Sequence, residues 1–209
     1  KWLNSLGITA FVLKYRLIEY GYPAPLQDIQ KAVRLVRSRA AEFGGDPNNI
    51  GVSGASAGGH LAGSIGTLHN QDVAPANDPL NVISARPDFL MMLYPVITMD
   101  EPHAHAGSRK GLVGETSTDD QLLNLLSLEK QVTADTPPTF IVCTNQDKIV
   151  DVENSVLFYQ ALRRANVFSE MHIFEEGDHG FAAHDLEGPK GAWLGLAEAW
   201  MKHRGFLPK

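Results

Sequence analysis

GVSGASAGGH, residues 51–60, is the stretch that decides how this chain folds. It places Gly-Ala-Ser-Ala-Gly, centred on Ser56, between a short apolar run and a segment of small residues. A serine with a glycine two residues away on each side is typical of a nucleophile elbow, the sharp turn that joins a strand to a helix. Neighbouring side chains would collide in such a turn, so Gly54 and Gly58 are expected to relieve the crowding. The pattern predicts an exposed Ser56 hydroxyl at the end of a buried strand.

The sequence around this turn predicts the strand and the helix that it should join. Residues 49–52 are typical of a short buried strand, and residues 59–68 of a helix of small residues. The backbone N–H of Ala57, at the helix start, would point to where an oxyanion forms. Ser56 is therefore a candidate nucleophile and Ala57 a candidate oxyanion donor. The alternative is a plain Gly/Ser turn, since the chain has 19 glycines.

An acid and a histidine follow Ser56 in the order that an α/β-hydrolase requires. Asp147 lies just after residues 139–144, a β-branched and aromatic run that predicts a strand. His179 follows another predicted strand, over residues 170–175, and sits on a glycine-containing loop. Catalytic groups of open α/β sheets gather at the carboxyl ends of the strands. The sequence therefore predicts a relay of Ser56, His179 and Asp147.

Both the acid and the histidine have rivals, because the chain contains 24 carboxylates and eight histidines. Asp151 competes with Asp147 on the same loop, and His184 competes with His179. Asp178 adjoins His179 and is poorly placed to accept a hydrogen bond from its Nδ1. The remaining histidines are predicted to be packing residues (His60, His172) or to lie in polar loops or near a helix end (His69, His103, His105, His203).

Several segments carry a resemblance to a known family: GITAFVLKYRL (7–17), PAPLQD (23–28), GASAGGHLA (54–62), TNQDKIV (144–150), VENS (152–155) and HGF (179–181). With them the chain resembles, nearly end to end, the acetyl-xylan-esterase-like or BD-FAE-like carbohydrate esterases of the α/β-hydrolase superfamily. By position, the resemblance implies Ser56 as nucleophile, Asp147 as acid and His179 as base. The family usually has proline where this chain has Asp151, and often an acidic residue where it has Gln146.

The alternation of strand-like and helix-like segments predicts a single domain over residues 1–209, with helices on both faces of a mostly parallel sheet. Helices are predicted over residues 25–43, 57–69, 119–130, 152–165 and 189–203, and a further strand over residues 8–16. The resemblance implies a three-layer α/β-hydrolase fold that is N-terminally truncated. Strands one to three and a Gly-rich loop of the HGGG type, with its second oxyanion donor, are then expected to be missing.

Residues 98–137 form the least regular region and are expected to be a cap-like insertion over the active site. His103 and His105, with Asp100 and Glu101, raise the alternative of a metal site there, but a surface loop is the preferred interpretation because a further ligand at suitable spacing is lacking. No metal and no cofactor is therefore expected.

The sequence favours a serine carboxylic-ester hydrolase, and the resemblance implies short-acyl esters such as acetyl groups on plant-polysaccharide sugars. One alternative is a serine peptidase of the prolyl-oligopeptidase type. Another is a catalytically weak fragment that forms a homodimer through residues 8–16, since unpaired strand edges invite pairing.

The composition of the chain limits which other partners are expected. A net charge of −6 and an isoelectric point near 5.7 argue against a nucleic-acid partner. The sequence has no apolar run long enough to span a bilayer, so no membrane partner is expected. Cys143 is the only cysteine, which excludes a disulfide within the chain. It lies in an apolar strand and is predicted to be a buried, inert thiol.

Overall fold

The computed structural model describes residues 1–17, 19–114 and 119–207. In these residues four strands form one parallel sheet in the order β1-β2-β3-β4. The strands are β1 (Gly51–Ala55), β2 (Phe89–Leu93), β3 (Thr139–Thr144) and β4 (Ser169–Phe174). The helices are α1 (Trp2–Ser5), α2 (Ala24–Ser38), α3 (Ala57–Thr67), α4 (Ala106–Val113), α5 (Asp120–Leu126), α6 (Glu153–Arg164), α7 (Phe181–His184) and α8 (Trp193–Arg204). Short 3-10 turns extend α2, α5 and α8 to nearly the limits expected from the sequence.

Helices cover both faces of the sheet, as the alternation of the sequence predicts. Successive strand residues point to opposite faces. Leu90 and Met92 of β2 therefore join one core with residues of α2, α3 and α6, while Phe89 and Met91 join a second core with residues of α8. The fold is thus the three-layer α/β arrangement that the sequence predicts, with the carboxyl ends of all four strands at one edge.

A third apolar cluster lies under the segment of residues 98–137. Val96, Met99, Leu123, Leu126 and Val150 are buried there. Because this cluster holds the segment against the loop that follows β3, the segment lies at the edge of the sheet where the strands end.

The predicted strand over residues 8–16 is wrong, since residues 8–17 belong to no strand or helix. β1 pairs with β2 on one side, and no strand in the described part of the chain lies on its other side. An extended segment without a partner cannot form the hydrogen-bond ladder of a sheet. This one instead contacts the turn after α2, where the rings of Phe11 and Phe43 lie 4.8 Å apart. It is strongly exposed, and Val12 is 99% accessible.

Two further expectations concern Cys143 and membrane-spanning helices. The thiol of Cys143 is buried in β3, and burial raises its pKa to about 11, as expected for an inert cysteine. Within residues 1–17, 19–114 and 119–207, every helix is too short or too polar to cross a bilayer.

Candidate active site

Ser56 occupies the sharp turn between β1 and α3. Its backbone has φ 56° and ψ −122°, a conformation that costs a non-glycine residue about 1–3 kcal/mol. Hydrogen bonds hold it there, because the Ser56 N–H donates to the Leu93 carbonyl oxygen at 3.0 Å and its own carbonyl accepts from the N–H groups of His60 and Val96. The turn therefore raises the Ser56 side chain above the carboxyl end of β1.

Glycine is required on both sides of this turn, but not at both predicted positions. A Cβ on Gly54 would lie 2.0 Å from the Gly58 carbonyl oxygen, so the expectation for Gly54 is correct. A Cβ on Gly58 would meet nothing within 4 Å, and the expectation for Gly58 is wrong. The second crowded position is Gly59, whose Cβ would lie 2.6 Å from that of Pro95. The atoms that crowd Gly59 belong to the loop after β2, and the sequence around Ser56 does not show that this loop lies there.

Ser56, His179 and Asp147 form a continuous chain of hydrogen bonds. His179 Nε2 lies 2.8 Å from Ser56 Oγ, and His179 Nδ1 lies 2.6 Å from Asp147 Oδ2. A carboxylate accepts only from a protonated Nδ1, so in the neutral ring Nε2 is free to accept the Ser56 proton. The three residues follow the carboxyl ends of β1, β3 and β4, which lie on the same side of the molecule because the strands are parallel.

The Asp147 carboxylate is held rigidly. Its side chain is 1% exposed, and its Oδ1 accepts hydrogen bonds from the N–H groups of Ile149 and Val150 at 2.9 and 3.0 Å. These bonds leave Oδ2 directed at His179. A carboxylate fixed in this way orients the imidazole and stabilises its protonated form.

Tyr94 supports the histidine from the side, a contact that sequence reasoning did not identify. Its ring meets that of His179 edge to face with centroids 4.8 Å apart, and Phe181 packs behind it. Tyr94 has φ 36°, and its N–H donates to the Val142 carbonyl oxygen at 2.7 Å. Burial, and then the charge of Asp147, raise the pKa of its hydroxyl. The available signal was its position directly after β2, at the end of the strands.

The structure separates the rivals from the relay. Asp151 faces His103, with His103 Nδ1 2.7 Å from Asp151 Oδ2. His184 lies in α7 and lines a small cavity of about 180 Å³ together with His179, but the ring of His179 is hydrogen-bonded to Ser56 and Asp147. Asp178 lines the same small cavity.

The two histidines predicted to be packing residues, His60 and His172, have hydrogen-bond partners outside the relay. His60 is buried in α3 and donates from Nε2 to the Leu126 carbonyl oxygen at 2.9 Å. Burial lowers the pKa of its ring to about 4. His172 lies in β4 with its Nε2 2.7 Å from Glu170.

Asn154 ties the segment after β2 to the loop that carries Asp147. Its side chain is fully buried, and its Oδ1 accepts from the N–H groups of Ile97 and Thr98. Its Nδ2 donates to the carbonyl oxygens of His103 and Asp151 at 2.9 and 3.1 Å. One side chain thus makes four hydrogen bonds across the two segments.

The residues weighed as metal ligands are not gathered at one point. His103 pairs with Asp151, His105 with Ser108, Glu101 with Arg109, and Asp100 with Lys130. In the described ranges no three His, Cys, Asp or Glu side chains are grouped as metal ligands would be.

An apolar cavity of about 350 Å³ opens beside Ala57, the first residue of α3. Its walls come from residues 15–17, from the start of α2, from α3 along its length, from α4 with the histidine before it, and from Leu126 of α5. Arg16 fixes the first wall through a bidentate ion pair with Asp28, with closest atoms 2.7 Å apart. The first N–H groups of a helix have no partner within the helix. The Ala57 N–H is therefore a donor next to both the cavity and Ser56.

The chain is similar in sequence to proteins that act on xylan. The chain is similar to endo-1,4-beta-xylanase B of Butyrivibrio fibrisolvens, with 40% identity over 90% of this chain and 30% of that protein. It is also similar to an acetylxylan esterase of Xylanibacter ruminicola, with 36% identity over 86% of this chain and 36% of that one. The chain thus spans about a third of the length of these two relatives.

A solved structure matches nearly the whole chain, and a family model matches most of it. The crystal structure of an acetyl ester-xyloside bifunctional hydrolase from Caldicellulosiruptor lactoaceticus matches with a TM-score of 0.93 and 45% identity, over 99% of this chain and 75% of that one. The model of the BD-FAE family matches residues 3–162. The chain therefore belongs to the BD-FAE family.

Proposed function

We propose that this protein is a serine carboxylic-ester hydrolase with Ser56 as nucleophile. The observation that carries the proposal is the chain of hydrogen bonds from Ser56 Oγ through the His179 ring to Asp147, with distances of 2.8 and 2.6 Å. The serine is already in contact with a base, and the base with an orienting carboxylate. Relatives named as esterases support the same reaction class.

In the proposed mechanism, Ser56 Oγ attacks the ester carbonyl carbon while His179 Nε2 takes the hydroxyl proton. The carbonyl oxygen becomes an oxyanion and accepts a hydrogen bond from the Ala57 N–H. His179 then returns the proton to the leaving alcohol as the carbon–oxygen bond breaks, which leaves an acyl-enzyme. Water, deprotonated by His179, hydrolyses this intermediate and regenerates Ser56. Asp147 keeps its charge throughout and stabilises the imidazolium.

The proposed substrates are short-acyl esters, in particular acetyl groups on plant-polysaccharide sugars. Support comes from the named activities of two relatives, an acetylxylan esterase and an acetyl ester-xyloside hydrolase. Residues 98–137 are proposed to act as the cap, because α4, the histidine before it and Leu126 of α5 form walls of the cavity next to Ala57.

The test compares the wild-type chain with Ser56→Ala in the hydrolysis of p-nitrophenyl acetate and in acetate release from acetylated xylo-oligosaccharides. We expect Ser56→Ala to lower kcat by about 10⁴-fold or more. Ser38→Ala, at the exposed end of α2, is the matched control and should retain full activity. Equal rates in the wild type and Ser56→Ala, with both folded, would overturn the proposal. Faster cleavage of a prolyl p-nitroanilide peptide would instead favour a peptidase.

A second candidate function, self-association, rests on a different observation. β1 is an open edge in the described part of the chain, and Phe11, Val12 and Leu17, in the segment before α2, are exposed. Open edges pair readily with a second strand. We therefore also propose a homodimer formed through residues 8–16, in which this exposed segment of one copy pairs with the open β1 edge of the other. Light scattering at high concentration should show a dimer that Val12→Asp weakens, and a monomer at all concentrations would refute it.

A further inference from the structure

The sheet has a second open edge, at β4, on the opposite side of the molecule from β1. The carbonyl oxygens of Phe168 and Phe174 accept hydrogen bonds, at 3.0 and 2.8 Å, from backbone N–H groups at the start of β3 and directly after it. Backbone groups of successive strand residues alternate between the two edges of a strand. Ser169, Met171 and Ile173 therefore direct their N–H and C=O groups away from β3. In the described ranges no strand lies on that side to bind them.

β4 lacks the features that usually keep an edge strand from pairing. Its sequence, SEMHIF, contains no lysine and no proline, and its register with β3 runs without a bulge from end to end. Two large apolar side chains are exposed along it, Phe168 directly before the strand and Ile173 within it. Arg204 lies over the Phe168 ring, with its guanidinium carbon 4.0 Å from the ring centroid, so one face of this ring is covered. The edge itself remains open to a further strand.

The charges of β4 are complementary to those of a second copy of the same strand. Glu170 and His172 are two residues apart, so their side chains lie on the same face of the sheet. His172 Nε2 lies 2.7 Å from Glu170 Oε1, and both side chains are partly exposed, at 26% and 44%. In an antiparallel pair of identical strands, the acid of each copy can lie opposite the histidine of the other. Cross-strand pairs of opposite charge stabilise a sheet.

The backbone and the charges together select one register for two copies. The outward backbone groups belong to odd-numbered residues, so odd residues must lie opposite odd residues and even opposite even. A two-fold axis at Glu170 would place two carboxylates opposite each other, which is destabilising. An axis at His172 would place two imidazoles together and leave each Glu170 opposite Phe174. Among axes within β4, the one at Met171 places Glu170 opposite His172, and it does so twice.

The same register also covers exposed apolar surface. It places Phe168 of each copy opposite Phe174 of the other, on the face that carries the charged pair. Aromatic pairs across two strands contribute to sheet stability. On the other face it places Ile173 opposite Ser169. The row of side chains on the first face is thus matched along its whole length.

We infer that β4 pairs antiparallel with β4 of a second copy of this chain, about a two-fold axis at Met171. The two copies then share one continuous sheet. This interface does not depend on the proposed esterase function, and it lies at the opposite edge of the sheet from the interface proposed for residues 8–16. Because the strands of the two copies run in opposite directions, the two Ser56 relays lie on opposite sides of the shared sheet, and neither covers the other.

Two cysteine variants test the register directly. In the proposed dimer, Glu170→Cys of one copy lies opposite His172→Cys of the other with Cα atoms about 4.5 Å apart, which a disulfide can span. Two copies of the same variant hold their cysteines about 8 Å apart, which is too far. Cys143, the natural cysteine, is buried and should not react. Under mild oxidation we expect a disulfide-linked dimer from the mixed variants, and either variant alone should give only the background of Ser38→Cys.

Charge reversal tests the same contact without a cross-link. His172→Glu places like charges opposite each other and should raise the Kd of the dimer at least about tenfold in analytical ultracentrifugation. The double variant Glu170→His/His172→Glu exchanges the two charges and should recover the wild-type Kd. All measurements use Val12→Asp as the background, because it weakens the interface proposed for residues 8–16. Circular dichroism checks that each variant is folded.

Three results would overturn the inference. One is a Val12→Asp protein that stays monomeric at high concentration. Another is a cysteine variant that cross-links with itself as fast as in the mixture, since that would require a different register. The third is a double variant that associates as weakly as His172→Glu, since the charged pair would then not lie across the interface. None of these results depends on ester hydrolysis.

Discussion

His103 Nδ1 lies 2.7 Å from Asp151 Oδ2, so the carboxylate that competes with Asp147 in the sequence is bound by a different histidine. A hydrogen bond from the backbone N–H of Glu153, and then the contact with His103, hold the pKa of the Asp151 carboxyl below its ordinary value. Asp151 is four residues from Asp147, yet it faces the segment after β2 and not the relay. The two acids therefore have different partners: Asp147 contacts His179, and Asp151 contacts His103 in the segment after β2.

The first prediction follows from this division. Asp147→Asn removes the charge that orients and stabilises protonated His179, so it should lower kcat on p-nitrophenyl acetate by about 10³- to 10⁴-fold. Asp151→Asn is a matched change four residues away and should cost less than about tenfold, because its partner His103 touches no group of the relay. The reverse order of effects in steady-state kinetics would show that Asp151 is the acid.

The second prediction concerns the ring that supports His179. Tyr94→Phe keeps the edge-to-face contact and should leave kcat close to that of the wild type. Tyr94→Ala removes a buried ring and should lower the free energy of unfolding by about 3–5 kcal/mol. Urea denaturation measures the stability, and kcat should fall in the alanine variant because the imidazole loses its lateral contact. A similar loss of kcat in Tyr94→Phe would show that the hydroxyl matters and not the ring.

The third prediction compares two glycines of the turn. Gly54→Ala forces a Cβ to 2.0 Å from a backbone oxygen and should prevent stable folding of the turn. Gly58→Ala places a Cβ in open space within α3 and should raise the free energy of unfolding by about 0.5–1 kcal/mol, since alanine is the better helix former. Thermal denaturation of both variants checks the pair, and a destabilised Gly58→Ala would contradict the structure.

The fourth prediction is a pH dependence of stability that originates at His60. Its pKa is about 4 in the folded protein and 6.5 without burial, so between these values the unfolded state binds the extra proton. The stabilisation is complete above pH 6.5 and is lost as the pH falls towards 4. Near pH 5 this one group should have lowered the free energy of unfolding by about 2 kcal/mol relative to neutral pH.

Chemical denaturation of the wild type and His60→Gln at neutral pH and near pH 5 isolates this effect from that of the carboxylates. We expect the difference between the two pH values to be smaller in His60→Gln. His203→Gln, which changes an exposed histidine near the end of α8, should behave like the wild type. An unchanged pH difference in His60→Gln would refute the assignment.

The sequence predicts most of the fold because its signals are local. The run at residues 139–144 matches β3 residue for residue, since a fully buried strand is apolar throughout. The strand over residues 8–16 has a similar signal but no neighbour with which to pair, and pairing depends on distant residues. A strand is thus correctly predicted only where its partner is also present.

The candidate site shows the same limit. Ser56, Asp147 and His179 each follow a predicted strand, and a parallel sheet brings strand ends together, so their proximity could be predicted. Tyr94 could not be assigned in this way. Its role depends on a ring contact with His179, which forms between segments far apart in the chain.

Three of the four hydrogen bonds of Asn154 hold the segment after β2 to the acid loop. To swing that segment away would break the bonds to Ile97, Thr98 and His103, at about 0.5–1.5 kcal/mol each, and would expose a buried amide. The segment after β2 therefore stays fixed against the acid loop and does not open as a lid. Ester and alcohol should pass through a permanent opening, and turnover should be limited by chemistry rather than by the opening of a gate.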